Sequence, residues 1–268
     1  MLHAVYRVGD MDATIDYYKK QFGMKQLRYR DIPEEKYTNA FLGFGSEKTN
    51  FALELTYNYG KDSYDLGSGF GHFALGVPDV YKTVDSIKAA GGKVTRDAGP
   101  VKGGKSTIAF VADPTGYLWE IIERPQTREP IAQVMLRVTN LEKSIQYYTE
   151  CLGMKLLRKR ENPDYKYTLA FLSYGDEENS TVFELTYNWG KDSQDAYEGN
   201  FRGDAYAQVA ISTQDVYKTA EQIRAAGGKI TKEPGPLPGL GTKILATTDP
   251  DGWKVVFVDN EDFLAELK

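Results

Sequence analysis

Cysteine is nearly absent from the 268-residue chain: Cys151 stands alone, which excludes an intrachain disulfide framework and fits a reducing compartment. Histidine is almost as scarce, with only His3 and His72. Long hydrophobic runs are missing too, and nothing approaches the roughly 18 uninterrupted apolar residues of a membrane span. The opening MLHAVYRVGD lacks the basic-then-apolar layout of a secretory signal, so a cytoplasmic protein is expected. Basic clusters are lacking as well. The 33 basic and 38 acidic side chains leave a mild acidic excess, the reverse of a nucleic-acid footprint. What is present is a globular composition, 41% hydrophobic and 26% charged. The length suits one large domain or two of about 100–150 residues.

The second possibility is written into the chain as a repeat. LHAVYRVGDMDATIDYYKKQFGMK recurs as AQVMLRVTNLEKSIQYYTECLGMK, and LELTYNYGKDS as FELTYNWGKDS, so that Glu54 returns 130 positions later as Glu184. DVYKTVDSIKAAGGKVT and DPTGYLWE recur at an offset of 136, Asp113 returning as Asp249. Six residues are therefore inserted in the second copy between Asn188 and Gln208, around DAYEGNFRGDA. Domain 1 is expected over 1–123, a proline-containing charged linker over 124–130 (RPQTREP), and domain 2 over 131–268.

Each copy divides again. HAVYRV reads as a strand, MDATIDYYKKQFG as an amphipathic helix, and NAFLGF and FALELTYN as strands. GHFALGV, VYKTVDSIKAAGG, STIAFV and YLWEII follow the same order, with glycine at the helix stop. The stripes Ile15, Tyr18, Phe22 and Val80, Val84, Ile87 suit helix faces laid on a sheet. Asp113, Pro114 and Gly116 mark a hairpin. The reading is α+β, four βαβββ modules.

Strand alternation places His3, Val5 and Arg7 on one face, and Glu54, Thr56 and Asn58 on another. His72 and Glu120 take the corresponding first and last strands of module 2. A lone strand histidine is ordinarily packing, and a strand glutamate ordinarily faces water. Yet Glu54 interrupts FALELTY and Glu120 interrupts YLWEII, and a carboxylate among apolar residues is costly unless paired, neutralised or bound to metal. Two imidazoles and two carboxylates at matching module ends suit a divalent first-row metal.

The runs HAVYRVGDMDATIDYY, ELTYNYG, GFGHFALGV, GPVKGGKSTIAF and DPTGYLWEIIER resemble glyoxalase I (lactoylglutathione lyase), of the vicinal-oxygen-chelate superfamily, and nearly the whole chain resembles it twice over, as in fused two-domain members. The resemblance implies four βαβββ modules forming two cupped eight-stranded mixed sheets. It implies ligand positions at His3, Glu54, His72 and Glu120 in the first domain and at Gln133, Glu184, Gln208 and Val256 in the second. Sites closed within each domain would give His3, Glu54, His72, Glu120 beside a depleted partner. Sites closed between domains, the arrangement resembling swapped family dimers, would give Gln133, Glu184, His72, Glu120 as the metal set. His3, Glu54, Gln208 and Val256, with Arg7 and Asn58, would then form the second site. The retention of Gln133, Arg137, Glu184 and Asn188 together in module 3 favours the latter. Valine neither ligates nor accepts a proton, so one site per chain is expected to work.

The activity implied is isomerisation of the methylglyoxal–glutathione hemithioacetal to S-lactoylglutathione, which detoxifies methylglyoxal. A divalent ion would steady the enediolate charge, and Glu120, or alternatively Glu184, would carry the proton between carbons. Arg137 and Asn188 match glutathione contacts of the family, and Lys102 and Lys105 in GPVKGGK offer further cations. The counterpart loop has Pro238 and Gly241 in their places, and Ser68 stands where some members have an arginine. Compact modules resemble the nickel- or cobalt-activated branch of the family and Gln133 resembles the zinc branch; nickel is the expectation, with cobalt and zinc as alternatives. An iron-dependent extradiol dioxygenase and a non-catalytic ligand-binding relative are the rival readings; a fourth protein ligand argues against the first and the intact ligand set against the second. Cys151 reads as helix packing. Domains that complete each other suggest a monomer with a small-molecule substrate, no nucleic acid and no membrane.

Overall fold

Alternation in the first strand of each module sets the architecture. In β1 (His3–Arg7), Ala4 and Tyr6 enter the core and His3, Val5 and Arg7 point to the other face. The computed structural model describes residues 1–101 and 106–268; Lys102 and Lys105 lie outside the described residues. Module 1 continues with α1 (Met11–Tyr17), β2 (Lys25–Ile32), β3 (Tyr37–Gly43) and β4 (Ala52–Asn58). Module 2 comprises β5 (Phe70–Val77), α2 (Val80–Ala89), β6 (Lys93–Pro100), β7 (Thr107–Ala112) and β8 (Leu118–Glu123). Module 3 has β9 (Ile131–Arg137), α3 (Leu141–Gln146), β10 (Lys155–Asn162), β11 (Tyr167–Ser173) and β12 (Val182–Asn188). Module 4 has β13 (Tyr206–Thr213), α4 (Val216–Ala225), β14 (Lys229–Pro236), β15 (Lys243–Thr248) and β16 (Lys254–Asp259), and a last helix, α5 (Asn260–Glu266), closes the chain.

The four module helices begin alike. Asp10, Asp79, Asn140 and Asp215 each accept a hydrogen bond from a first-turn backbone N–H, satisfying a donor that the helix start leaves orphaned. Helices α1 and α3 widen into π-helical turns, Tyr18–Phe22 and Tyr147–Cys151. The stripes Ile15, Tyr18, Phe22 and Val80, Val84, Ile87 are buried as their spacing requires. Burial raises the pKa of the Cys151 thiol, and its Sγ lies 3.5 Å from the carbonyl of Ala226 at the end of α4. Among the described residues no helix is long and apolar enough to cross a membrane.

The strands form two mixed eight-stranded sheets, ordered β14–β15–β16–β13–β1–β4–β3–β2 and β10–β11–β12–β9–β5–β8–β7–β6. Each sheet thus takes one module from each half of the chain: module 1 joins module 4, and module 2 joins module 3. The joins are antiparallel, β1 to β13 with His3 opposite Ala210, and β5 to β9 with Ala74 opposite Gln133. Inside each module the first and last strands run parallel. Edge strands β2, β6, β10 and β14 were not individually legible in the sequence, because they are half exposed and carry polar residues on both faces.

One large apolar cluster draws on all four modules and includes Tyr6, Tyr18, Trp119, Val134, Tyr148 and Phe257. At its centre the Tyr6 hydroxyl donates to Tyr18 at 2.6 Å, Tyr18 donates to Asp113 Oδ2 at 2.5 Å, and Trp119 Nε1 donates to Tyr18 at 3.1 Å. Asp113 also accepts the N–H groups of Gly116 and Tyr117 in its own hairpin. This network ties α1 of one sheet to the β7–β8 turn of the other, so both sheets are held against one core on the faces opposite their cups.

Candidate metal centre in the His72 cup

Pairing of β9 with β5 puts four side chains on one concave face. Register sets Glu184 opposite Met135, Met135 opposite His72, and Gln133 opposite Ala74, which in turn lies beside Glu120. The ligand atoms of His72, Glu120 and Glu184 fall within 4.8 Å of one another. His72 Nε2 is 3.4 Å from Glu120 Oε2 and is a buried nitrogen with no hydrogen-bond partner. Gln133 is buried as well, and its Oε1 has no partner either. Orphaned polar atoms inside a protein are rare and costly. Here two of them share a face with two carboxylates.

The electrostatics point the same way. Burial is the largest influence on Glu184 and, with the nearby charge of Glu120, pushes its carboxyl up to about 7, against the pull of His72. At His72 burial again acts most strongly, disfavouring the imidazolium, but the Glu120 and Glu184 carboxylates outweigh it and raise the pKa. Negative charge is thus crowded around a buried, unpartnered imidazole nitrogen. A divalent cation relieves such crowding, and an N/O donor set of one imidazole, two carboxylates and an amide oxygen suits a first-row metal.

The other predicted residues are distributed as follows. Arg137 lies two turns of the pleat beyond Gln133, half buried, with Nη1 donating to the carbonyls of Ser68 at 2.9 Å and Phe70 at 3.1 Å. Burial lowers its pKa. Asn188 donates to the Tyr197 hydroxyl at 3.3 Å, a residue of the six-residue insertion region. Thr186 sits between Glu184 and Asn188 on the same face, its buried hydroxyl without a partner; alternation from Glu184 was the signal that marks it.

The sheet that joins modules 1 and 4 carries a second cup with different chemistry. His3 Nε2 pairs with Glu54 Oε2 at 3.0 Å, and Asn39 donates to the other Glu54 oxygen. Gln208 faces Val5, and Val256 is buried among Leu2, Ala210, Ile244 and Phe263. Arg7 donates to the Asp204 carbonyl at 2.6 Å and Asn58 to the Tyr64 hydroxyl at 2.8 Å. Among the described residues no group of three histidine, cysteine or carboxylate side chains gathers in this His3 cup. Phe263 of α5 fills it instead, its ring 6.4 Å from that of His3.

Comparison with known proteins agrees with this architecture. The glyoxalase/bleomycin resistance protein/dioxygenase superfamily model matches residues 1–121 and again 130–257. The chain belongs to that superfamily. It is 62% identical over 268 residues to a probable lactoylglutathione lyase, chloroplastic, of Arabidopsis thaliana, covering all of this chain and 75% of that protein. It is 61% identical over 273 residues to a lactoylglutathione lyase of Oryza sativa subsp. japonica, with 100% and 92% covered. The crystal structure of glyoxalase I from Zea mays superposes with a TM-score of 0.95 at 63% identity, covering all of this chain and 94% of that one. This superfamily's paired modules are what bring His72 and Glu120 of one half against Gln133 and Glu184 of the other.

Proposed function

We propose that the protein is a lactoylglutathione lyase, isomerising the hemithioacetal of methylglyoxal and glutathione to S-lactoylglutathione, and that the reaction runs in the His72 cup alone. The observation that carries the reading is the His72–Glu120–Glu184 cluster beside the orphaned Gln133 oxygen, in a chain alike over its full length to lactoylglutathione lyases. His72, Glu120, Gln133 and Glu184 would hold a divalent ion, nickel on our reading, with cobalt and zinc as alternatives. Such an ion supplies positive charge where substrate oxygens become negative.

The chain's own residues do the remaining work. A proton must leave one carbon and return to its neighbour, so a carboxylate is required within reach of both. Glu120 projects from β8 and Glu184 from β12, on either side of the β5–β9 join. Glu120 is the first candidate for the base because Val256 replaces it in the His3 cup. Arg137 and Asn188 lie at the far ends of β9 and β12, where they can meet the glutathione part. Because module 2 finds module 3 within one chain, the site needs no second copy, which supports a monomer.

The test is a spectrophotometric hemithioacetal assay on chelator-treated protein reloaded with nickel, cobalt or zinc, with metal content per chain measured in parallel. One ion per chain with recovery of turnover is expected. Absence of turnover with every ion overturns the reading.

A further inference from the structure

The His3 cup holds an internal occupant, and what that occupant touches marks a feature of the other cup. The carboxylate of Glu266 on α5 lies 3.2 Å from Arg28 Nη1 and 2.8 Å from Arg30 Nη2, and Thr242 donates to its other oxygen. Arg28 is fixed for this role. Its Nε and Nη2 bind both oxygens of Glu47 at 2.7 and 2.6 Å, and its guanidinium lies 3.8 Å over the Phe41 ring. Only the outer edge is left for Glu266.

The repeat rebuilds the same device in the His72 cup. Arg158 binds both oxygens of Glu177 at 2.7 Å and lies 3.4 Å over Phe171, and Arg160 stands two residues on, where Arg30 stands in module 1. The third group recurs too, since Ser106 is the counterpart of Thr242 at the offset of 136. The carboxylate does not recur. After β8 the chain leaves through Arg124 to Pro130 into β9, whereas after β16 it folds back as α5. Among the described residues neither Arg158 Nη1 nor any part of Arg160 has a hydrogen-bond or ion-pair partner, and both side chains are exposed.

We infer that Arg158 and Arg160 form an anion subsite of the His72 cup that receives a carboxylate of the glutathione moiety. The inference rests on the proposed lyase reading of that cup and goes beyond it by assigning two arginines. Position favours it. Arg158 is opposite Phe171, which is opposite Glu184, so the arginine lies two strands from the metal cluster, roughly 10 Å at about 4.8 Å per strand. An extended tripeptide spans about 10 Å. A bidentate guanidinium pinned by Glu177 and an aromatic face loses little freedom on binding a second carboxylate.

Glutathione has two carboxylates, and the experiment separates them. Arg160→Gln is expected to raise KM for the methylglyoxal–glutathione hemithioacetal about tenfold with kcat within about twofold, and to weaken binding of unreactive S-hexylglutathione by a similar factor in calorimetry. Arg160→Lys is expected to recover part of both, and Arg30→Gln, in the other cup, to leave KM unchanged. The variant-to-wild-type KM ratio should then fall to near one for a single modified thiol. That thiol is either the glycyl ethyl ester of glutathione or the analogue with γ-aminobutyrate replacing γ-glutamate. The analogue showing this identifies the carboxylate bound. Active wild-type protein with an unchanged KM in Arg160→Gln, or a ratio that persists with both analogues, overturns the subsite. Wild-type protein with no turnover overturns the lyase reading instead.

Discussion

The two cups are built on equivalent strand positions, yet they hold opposite contents. In one, His72 Nε2 and Gln133 Oε1 stay unpartnered beside the carboxylates of Glu120 and Glu184. In the other, His3 Nε2 pairs with Glu54 while His3 Nδ1 has no partner, and an apolar cluster of Leu2, Ala210, Ile244, Ala246, Val256, Val258 and Phe263 fills the concavity. Two replacements account for most of the change. Val256 stands where β8 has Glu120, and Ala246 where β7 has Phe110, leaving room that α5 fills with Phe263. Burying a phenylalanine is worth about 1.5–3 kcal/mol, so a cup without a cluster of polar groups is a place to gain stability. The His72 cup gathers a three-residue cluster of possible metal ligands, and the His3 cup is packed with apolar side chains.

The largest test of this contrast removes ligands from each side. His72→Ala is expected to lower kcat by at least about 10²–10³-fold and to abolish metal retention, whereas Gln208→Ala, its counterpart, leaves turnover within about twofold. Equal losses from both changes would break the comparison. Gln133→Ala and His3→Ala sharpen it next. The first should cost at least about 10–100-fold in metal affinity, and the second nothing measurable in an equilibrium metal titration. Third, Phe263→Ala should destabilise the protein by about 3–5 kcal/mol, lowering Tm in a thermal melt by on the order of 10 °C while kcat and KM hold. An unchanged Tm would mean that α5 is no part of the core.

The smallest effect concerns a pair that the two halves share. Asp113 and Asp249 are equivalent hairpin carboxyls, and burial, their largest influence, raises them to about 6 and about 7. Carboxyls whose folded pKa is raised bind more protons in the folded than in the unfolded chain, so their contribution is complete below about pH 4 and is lost as pH rises through 6 and 7. Melts between pH 5 and 8 should therefore show their contribution declining, and Asp113→Asn should flatten part of that decline. A steeper decline in the variant would reverse the sign.

Much of this is legible in the sequence. His72 and Glu120 stood out because each is the wrong residue type for an all-apolar strand, and Glu184 followed from the repeat. The helices followed from the stripes Ile15, Tyr18, Phe22 and Val80, Val84, Ile87 and from the glycine stop, whereas their caps Asp10, Asp79, Asn140 and Asp215 came from the structure. Less visible were the edge strands, whose half-exposed patterns lack clean alternation, and α5. Its signals were short: Asp259 as N-cap, accepting from Asp262 N–H, with Phe263, Leu264 and Leu267 following. The arginine clamps were overlooked because Arg28 and Glu47, like Arg158 and Glu177, are distant in sequence and meet only across a hairpin.

Sequence alone determined the four modules, the two unequal copies and the residue types available for metal chemistry, since periodicity and repetition are properties of a linear string. Tertiary structure decided which copies of those residues meet. Backbone hydrogen bonding between β5 and β9 and between β1 and β13 carries Glu184 to His72 and leaves His3 beneath Phe263, and strand partners far apart in the chain are chosen by packing and register, which no local pattern encodes.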